Sequence, residues 1–257
     1  MTKDRAAMME RLVALAERAG EEILEVYAQD FEVLTKADES PVTAADERAE
    51  AVILAGLAEI APGIPVVAEE SAAAGRVPDV SDGRFFLVDP LDGTKQFIER
   101  NGQFTVNIAL IEDNVPTLGV VHLPALEETY WTDGHGGACR RRNGEVTSIY
   151  CRAPADDGLV VVASRSHRNQ ETEDYLATLD IKELDASGSS LKFCRIAEGA
   201  ADLYPRLGRT MEWDVAAGHA VLLAAGGSMT TFADEPFTYG KHIFENPHFI
   251  ARGLAAE

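Results

Sequence analysis

The segment that most constrains the fold of this 257-residue chain is an apolar run ending in an acidic turn. Residues 85–88 predict a buried strand, and Asp89-Pro90-Leu91-Asp92-Gly93-Thr94 follows directly. Because proline fixes its own φ and glycine tolerates a positive φ, we expect a sharp turn where the two carboxylates lie. Taken alone, this segment predicts either an ordinary turn or an oxygen-rich cage of the kind that hard cations prefer.

The residues after this turn suit an anion. Gly93, Thr94 and Lys95 are predicted to open a short helix, whose first N–H groups have no partner within the helix and therefore face a negatively charged group. A metal site and a phosphate site on one loop are typical of a phosphatase.

Two further predicted elements carry acids at their ends. Residues 64–68 predict a strand that continues into Glu69 and Glu70, and Asp214 stands at the start of an apolar helix that should end at Gly226-Gly227. Asp214 by itself is explained equally well as a helix cap. Explaining each acid on its own does not account for the presence of acids at the ends of three predicted elements. We therefore expect these acids to lie close together in the folded protein.

The composition agrees with an enzyme that works in a reducing compartment. With 46% hydrophobic residues the chain can bury a substantial core, as one unit or as two packed halves. No segment is long or apolar enough to span a membrane, and no secretory signal opens the chain. The three cysteines are widely spaced, which favours the cytosol over disulfides or zinc.

The formal net charge of −20 argues against nucleic-acid binding, which needs a basic surface. It also predicts that an anionic substrate is repelled unless cations intervene. Two like charges ~4 Å apart repel by roughly 4 kcal/mol at an effective dielectric near 20, so clustered carboxylates need divalent ions between them. An all-oxygen ligand set favours Mg²⁺ over zinc or copper.

The coarse pattern predicts a mixed α/β chain. We expect helices over residues 4–27, 43–60 and 171–179, a hairpin of strands 104–111 and 118–123, and a buried strand over 159–163. Residues 140–144 and 153–158 are predicted as surface loops. A division near residue 155 follows, with an N-terminal part (1–155) carrying most of the proposed metal ligands and a C-terminal part (156–257) carrying Asp214.

Three segments resemble the signature blocks of the inositol monophosphatase superfamily of metal-dependent, lithium-sensitive phosphatases: Ala68-Glu69-Glu70-Ser71, Asp89-Pro90-Leu91-Asp92-Gly93-Thr94 and Trp213-Asp214-Val215-Ala216-Ala217-Gly218. Residues 92–98, 101–110, 187–194 and 203–206 further resemble its 3′(2′),5′-bisphosphate nucleotidase branch. The similarity extends from residue 40 to residue 247. It implies a layered αβαβα sandwich with the active site between the two halves.

The resemblance also implies roles for individual residues. Glu69, Asp89 and the Leu91 carbonyl would hold one Mg²⁺, Asp89, Asp92 and Asp214 a second, with two or three ions in total. Thr94 would position the attacking water, Asp46 would orient Thr94, and Glu70 would be a further acid near the metals. Without the resemblance, Asp46 is explained as a first-turn helix acid.

The substrate side is predicted from the same resemblance and from loop positions. Gly93 and Thr94 would offer N–H groups to the phosphate, while Lys192 and Arg206 would neutralise a phosphate that is not cleaved. For the last two, solvated surface charges remain the alternative. His167 is either a surface residue or a contact to ribose or base, and the other histidines are expected to be structural. The full predicted substrate set is Glu69, Leu91, Asp92, Gly93, Thr94, Ser164, His167, Ser189, Lys192, Arg206 and Asp214.

These expectations combine into one hypothesis: a Mg²⁺-dependent enzyme that removes the 3′-phosphate of adenosine 3′,5′-bisphosphate, with 3′-phosphoadenylyl sulfate as a second candidate substrate. The alternatives are an inositol or sugar phosphatase of the same superfamily, and a protein- or RNA-associated regulator with secondary catalysis. We expect a small nucleotide as partner, no nucleic acid and no integral membrane segment, and leave a homodimer open. The expected location is the cytoplasm, with the inner-membrane face as a second option.

Overall fold

Two β-sheets organise the computed structural model, which describes residues 2–35, 41–164 and 168–255. The helices are α1 Thr2–Tyr27, α2 Ala44–Ile60, α3 Glu69–Ala73, α4 Thr94–Ile98, α5 Gln170–Leu176, α6 Leu191–Ala197 and α7 Glu212–Ala224. The strands are β1 Leu34–Thr35, β2 Pro41–Val42, β3 Val66–Ala68, β4 Arg84–Asp92, β5 Thr105–Glu112, β6 Val115–Leu123, β7 Glu128–Thr132, β8 Ala138–Arg142, β9 Glu145–Ile149, β10 Leu159–Ser164, β11 Ile181–Ser187, β12 Leu203–Arg206, β13 Ser228–Thr231 and β14 Phe249–Arg252.

The larger sheet has the strand order β3-β4-β5-β6-β7-β8-β9, in which only the β3–β4 pair is parallel. The smaller sheet has the order β11-β10-β12-β14-β13, with β10 parallel to both of its neighbours and β14 antiparallel to both of its own. A third, two-stranded ribbon pairs β1 with β2. Both large sheets are therefore mixed.

Alternation along β4 explains the layers. Phe86 and Val88 point to the face covered by α1 and α2, whereas Phe85 and Leu87 point to the core that contains α6 and α7. On the far side of the smaller sheet, Leu176 of α5 packs with side chains of β10, β12 and β14. The order helix, sheet, helix, sheet, helix confirms the predicted αβαβα sandwich.

Most predicted elements are confirmed with small shifts in their bounds. The helices over 4–27 and 43–60 form as α1 and α2, and Thr43 caps α2 with its side chain. The hairpin forms as β5 and β6, joined by Asp113 and Asn114 with φ values of 52° and 64°. Both residues occupy the left-handed region that a tight hairpin turn requires.

Two predictions were wrong in detail. Strand β4 does not stop at residue 88 but continues to Asp92, with a register shift between Asp89 and Asp92 that lets Pro90 stay within the strand. Arg140, Arg141 and Arg142 are not in a surface loop but in strand β8. Their guanidinium groups form ion pairs with Glu198, Glu17 and Glu128. The three positive charges in a row, which led us to predict an exposed loop, are therefore neutralised by glutamates that the fold brings next to the strand.

The strands of the larger sheet lie between residues 66 and 149, and those of the smaller sheet between 159 and 252. The predicted boundary near residue 155 falls in the segment between them, and the division into subdomains stays a prediction. Among the described residues, no helix is both long and apolar enough to cross a bilayer.

Candidate active site

The parallel pairing of β3 with β4 brings the first two acids together. Ala68 lies opposite Val88, so Glu69, which follows β3, and Asp89, which lies within β4, are neighbours at the same end of the strand pair. Asp89 is buried, with 2% of its surface exposed, and its Oδ1 accepts a hydrogen bond from Leu91 N at 3.0 Å. A local bond of this kind orients the carboxylate toward its own turn.

The turn then changes direction at Gly93, which has φ 91° and caps helix α4. A Cβ atom at this position would lie 2.8 Å from Ser189 Oγ, so both the backbone angle and the space require glycine. Ser189 Oγ donates to Asp92 O at 2.7 Å. The loop before α6 therefore holds the acidic turn of the larger sheet directly.

Asp46 and Thr94 meet at this turn from different helices. Asp46 Oδ2 accepts hydrogen bonds from Thr43 N at 2.8 Å and Thr43 Oγ1 at 2.9 Å, completing the capping box of α2. Its other oxygen, Oδ1, lies 3.4 Å from Thr94 Oγ1. Thr94 Oγ1 is also 3.4 Å from Leu91 O. The cap of α2 thus leaves one carboxylate oxygen for the Thr94 hydroxyl.

Asp214 comes from the opposite half of the chain, in the first turn of α7. Its Oδ2 accepts a hydrogen bond from Met211 N at 2.8 Å, and its backbone oxygen accepts one from Ser190 Oγ at 2.8 Å. The N-cap residue of α7 is therefore Met211 and not Asp214, whose carboxylate instead supports the helix start through this bond to the Met211 N–H. This bond does not exclude a second role, because a carboxylate has more than one lone-pair site.

These residues line one cleft of about 770 Å³ between the two sheets. The predicted site residues on its wall are Glu69, Asp89, Leu91, Asp92, Gly93, Thr94, Ser164, Ser189, Lys192, Arg206 and Asp214. Asp46 and Glu70 are not on the wall, and Asp46 is connected to it through Thr94. His167 lies outside the described residues.

Burial and mutual repulsion dominate the electrostatics of the cleft. Desolvation, followed by the nearby Asp92 and Glu69 carboxylates, raises the pKa of Asp214 to about 8. Desolvation also raises the pKa of Asp92, although Lys192 opposes that shift. The acids therefore cannot all be ionised at neutral pH unless positive charge lies between them.

Lys192 is the principal buried cation of this cluster. It is 5% exposed, its Nζ lies 5.2 Å from the ring centroid of Tyr204, and it donates to Ser189 O. Desolvation lowers the pKa of Lys192 to about 8, with Asp92 acting in the opposite direction. Lys192 is thus buried, and the alternative left open by the sequence, that it is a solvated charge on the surface of a helix, is wrong.

The donor set fits Mg²⁺. It consists of carboxylates and the Leu91 carbonyl, all of them oxygen ligands. Within the ranges 2–35, 41–164 and 168–255, no three acidic, histidine or cysteine side chains converge into a ready-made metal cage. Mg²⁺ does not need one, since it keeps several waters and binds through one or two carboxylates together with substrate phosphate.

Three buried polar residues beside the site were not predicted from the sequence. Glu50, one turn after Asp46 on α2, accepts hydrogen bonds from Glu70 N at 2.8 Å and Ser71 Oγ at 2.6 Å. Its spacing of about one helical turn from Asp46 is the signal that could have identified it. Thr105 and Asn107 lie opposite Asp92 and Asp89 on β5, and the Asn107 side chain acts to lower the pKa of Asp92.

The layered fold and the acid-lined cleft together define the class of protein: an αβαβα sandwich whose site lies between its two sheets. The chain belongs to the inositol monophosphatase family, whose sequence profile matches residues 4–255.

Individual relatives place it more finely within that family. The 3′(2′),5′-bisphosphate nucleotidase CysQ of Salmonella typhimurium is 47% identical over 94% of this chain and 98% of its own length. The CysQ of Escherichia coli K12 is 45% identical over the same shares. Among solved structures, CysQ from Bacteroides thetaiotaomicron superimposes with a TM-score of 0.80 at 38% identity, covering 96% of both chains. An inositol monophosphatase from Zymomonas mobilis reaches 0.77 at 27% identity, covering 98% of this chain and 93% of its own.

Proposed function

We propose that this chain is a Mg²⁺-dependent phosphomonoesterase that removes the 3′-phosphate of adenosine 3′,5′-bisphosphate, giving AMP and phosphate. The observation that carries the proposal is the convergence of Glu69, Asp89, Asp92 and Asp214 on one cleft that also contains Thr94. The relatives named 3′(2′),5′-bisphosphate nucleotidase support the choice of substrate, at identities well above that of the inositol monophosphatase of similar fold.

Each acid has a part in this proposal. Glu69, Asp89 and the Leu91 carbonyl would hold one ion, and Asp89, Asp92 and Asp214 would hold another. When bound, the ions supply a water that is nucleophilic at neutral pH and neutralise charge on the phosphoryl oxygens. The raised pKa values of Asp92 and Asp214 support the assignment, because these carboxylates need a cation to share the cleft in ionised form.

Thr94 and Asp46 act on the attacking water. A hydroxyl that donates to Asp46 Oδ1 presents its oxygen lone pairs to the water, which fixes the orientation of that water toward phosphorus. Phosphate oxygens are met by the main-chain N–H groups of Gly93 and Thr94. Glu70 remains a candidate acid next to the metals, with its backbone N–H held by Glu50.

Lys192 and Arg206 bind the 5′-phosphate, which is not cleaved. Both line the cleft, and the Arg206 charge is near enough to Lys192 to lower its pKa. A phosphate between two such cations would relieve that repulsion and keep Lys192 protonated. 3′-Phosphoadenylyl sulfate carries the same 3′-phosphate, while its 5′-phosphate is joined to sulfate; it is the second substrate, which links the activity to sulfur assimilation.

Three finer points belong to the proposal. The cleft takes two or three Mg²⁺ ions, and Li⁺ inhibits by replacing one of them. The protein works in the cytoplasm of its cell, with the inner-membrane face as the second location. A homodimer is compatible with the proposed activity, because every assigned residue comes from one chain.

The test is phosphate release with Mg²⁺ from four compounds: adenosine 3′,5′-bisphosphate, 3′-phosphoadenylyl sulfate, inositol 1-phosphate and fructose 1,6-bisphosphate. We expect kcat/KM to be highest for adenosine 3′,5′-bisphosphate and the reaction to stop with EDTA or Li⁺. A higher kcat/KM for inositol 1-phosphate would make the chain an inositol phosphatase, and no turnover of any compound would favour a regulatory role.

A further inference from the structure

One part of the cleft has no role in the chemistry above, and it is apolar. Val77, after α3, and Ile243, in the segment between β13 and β14, line the same cleft as the acids. They are 47% and 63% exposed, respectively. Large apolar side chains that face water inside a ligand cleft mark a surface that an apolar part of the ligand covers.

The segment that carries Ile243 is built as a rigid support. We call Tyr239–Asn246 the rim loop. The Glu212 carboxylate is fully buried and accepts hydrogen bonds from Gly240 N at 2.8 Å, Lys241 N at 2.9 Å and Lys241 Nζ at 2.9 Å. A buried carboxylate with three donors, one of them charged, is strongly held in place. Glu212 also lies two residues before Asp214, so the first turn of α7 carries both the residue that anchors the rim loop and the proposed metal ligand Asp214.

The far end of the rim loop is held in a strained conformation. Phe244 has φ 55°, a left-handed angle that is costly for a bulky residue, and its carbonyl accepts a hydrogen bond from Glu212 N at 2.7 Å. Asn246 Nδ2 donates to Met211 O at 2.7 Å. Both Phe244 and Ile243 line the cleft, but Phe244 is 6% exposed whereas Ile243 is 63% exposed. The exposure of Ile243 is therefore imposed by a well-anchored backbone.

We propose that the rim loop is the base-binding element of the site, in which Ile243 contacts the flat face of a nucleobase. The inference rests on the proposed function, since it assigns the part of a nucleoside bisphosphate that the acids and cations leave unbound. A purine offers an apolar face that covers Ile243. Inositol carries an oxygen substituent on every ring carbon, so against Ile243 its hydroxyl groups would lose hydrogen bonds to water without replacing them. The rim loop thus favours nucleotides over cyclitol phosphates.

The experiment compares the wild type with Ile243→Ser and Ile243→Leu on two substrates. One is adenosine 3′,5′-bisphosphate, and the other is 1-deoxyribose 3,5-bisphosphate, which keeps both phosphates but has no base. Val146→Ser is the matched control, because Val146 is 53% exposed on β9 and does not line the cleft. Because Ile243 is mostly exposed, neither of its variants removes core packing, and thermal unfolding checks this.

We expect Ile243→Ser to lower kcat/KM for the nucleotide about 10-fold, the low end for losing an apolar contact in a binding pocket. The base-free substrate should change less than about twofold, and Ile243→Leu and Val146→Ser should resemble the wild type. Equal effects of Ile243→Ser on both substrates, or a Leu variant as impaired as the Ser variant, would overturn the inference. Failure of the proposed function is a separate result: the wild type would then release no phosphate from the nucleotide.

Discussion

Thr94 Oγ1 lies 3.4 Å from Asp46 Oδ1, although 48 residues separate the two side chains in sequence. The helix cap that Asp46 forms with Thr43 fixes the carboxylate, so its second oxygen is presented to Thr94 in a set orientation. A residue whose local role is to cap a helix thereby also reaches the active-site turn.

This relationship predicts that the Thr94 hydroxyl is needed for turnover and its methyl group is not. Thr94→Val should lower kcat by about 10²-fold or more, the usual size of the effect when a positioned proton-transfer group is lost. Thr94→Ser keeps the hydroxyl and should stay within about tenfold of the wild type. Steady-state kinetics with adenosine 3′,5′-bisphosphate measures both. Normal turnover by the Val variant would remove Thr94 from the mechanism.

Asp89 is proposed to bridge two ions, so Asp89→Asn should reduce kcat/KM by at least about 10³-fold, equivalent to several kcal/mol of transition-state stabilisation. The measurement is phosphate release across a Mg²⁺ titration, with EDTA as the metal-free limit. The control is Asp113→Asn, which changes the same side chain in the exposed β5–β6 turn, where asparagine tolerates the left-handed backbone. Full activity of the Asp89 variant, or of the wild type in EDTA, contradicts the metal assignment.

Glu50 is predicted to position the metal-binding acids through α3. Glu50→Gln replaces one acceptor oxygen by an NH₂ group that cannot accept from Glu70 N or Ser71 Oγ. We expect the Mg²⁺ concentration for half-maximal activity to rise about 10- to 100-fold, with activity recovering at high Mg²⁺. Glu47→Gln, on the exposed side of the same helix, is the matched control. If added Mg²⁺ restores nothing, Glu50 supports the fold and not the metal site.

Lys192 is predicted to distinguish bisphosphates from monophosphates. Lys192→Met keeps most of the buried volume beside Tyr204 and removes the charge, so kcat/KM for adenosine 3′,5′-bisphosphate should fall roughly 10- to 100-fold. Adenosine 3′-monophosphate and inositol 1-phosphate should change little, because they have no second phosphate. All three compounds are assayed side by side. An equal loss on each would show that Lys192 stabilises the acid cluster and does not bind the 5′-phosphate.

His219 predicts a pH dependence of stability. It is 3% exposed, its Nδ1 lies 2.9 Å from the Tyr239 hydroxyl, and burial lowers its pKa from an ordinary 6.5 to about 3. The unfolded chain therefore binds a proton below pH 6.5 that the folded chain excludes. The stabilisation is complete above pH 6.5 and is lost as the pH falls toward 3, by about 1.4 kcal/mol per pH unit.

The measurement is the free energy of unfolding between pH 7 and pH 4.5 for the wild type and His219→Gln, with Mg²⁺ present so that the cleft acids stay ionised. As the pH falls, the free energy of unfolding of the wild type should decrease relative to that of His219→Gln, because only the wild type carries the buried imidazole. His135→Gln, at an exposed position, should follow the wild type. If the free energies of unfolding of the two proteins differed by the same amount across this range, His219 would take up a proton in the folded protein as readily as in the unfolded chain.

The sequence by itself determined the types of element and the acids at their ends. The apolar run from Phe85 to Val88 and the helical spacing of α1 are local patterns, so they predict a strand and a helix without knowledge of the rest of the chain. The acidic turn, Glu69 and Asp214 were recognisable for the same reason. Each signal lies within a few neighbouring residues.

Only the tertiary structure decided which distant groups meet and how burial changes them. Whether Glu50 caps α3, whether Ser189 binds the Asp92 carbonyl, and whether the arginines of β8 face acids depend on pairings between segments far apart in sequence. The lowered pKa of Lys192 likewise follows from desolvation, which is set by packing around the side chain and not by its neighbours in sequence. Local patterns therefore located the site, while long-range packing determined its charge state and its supporting residues.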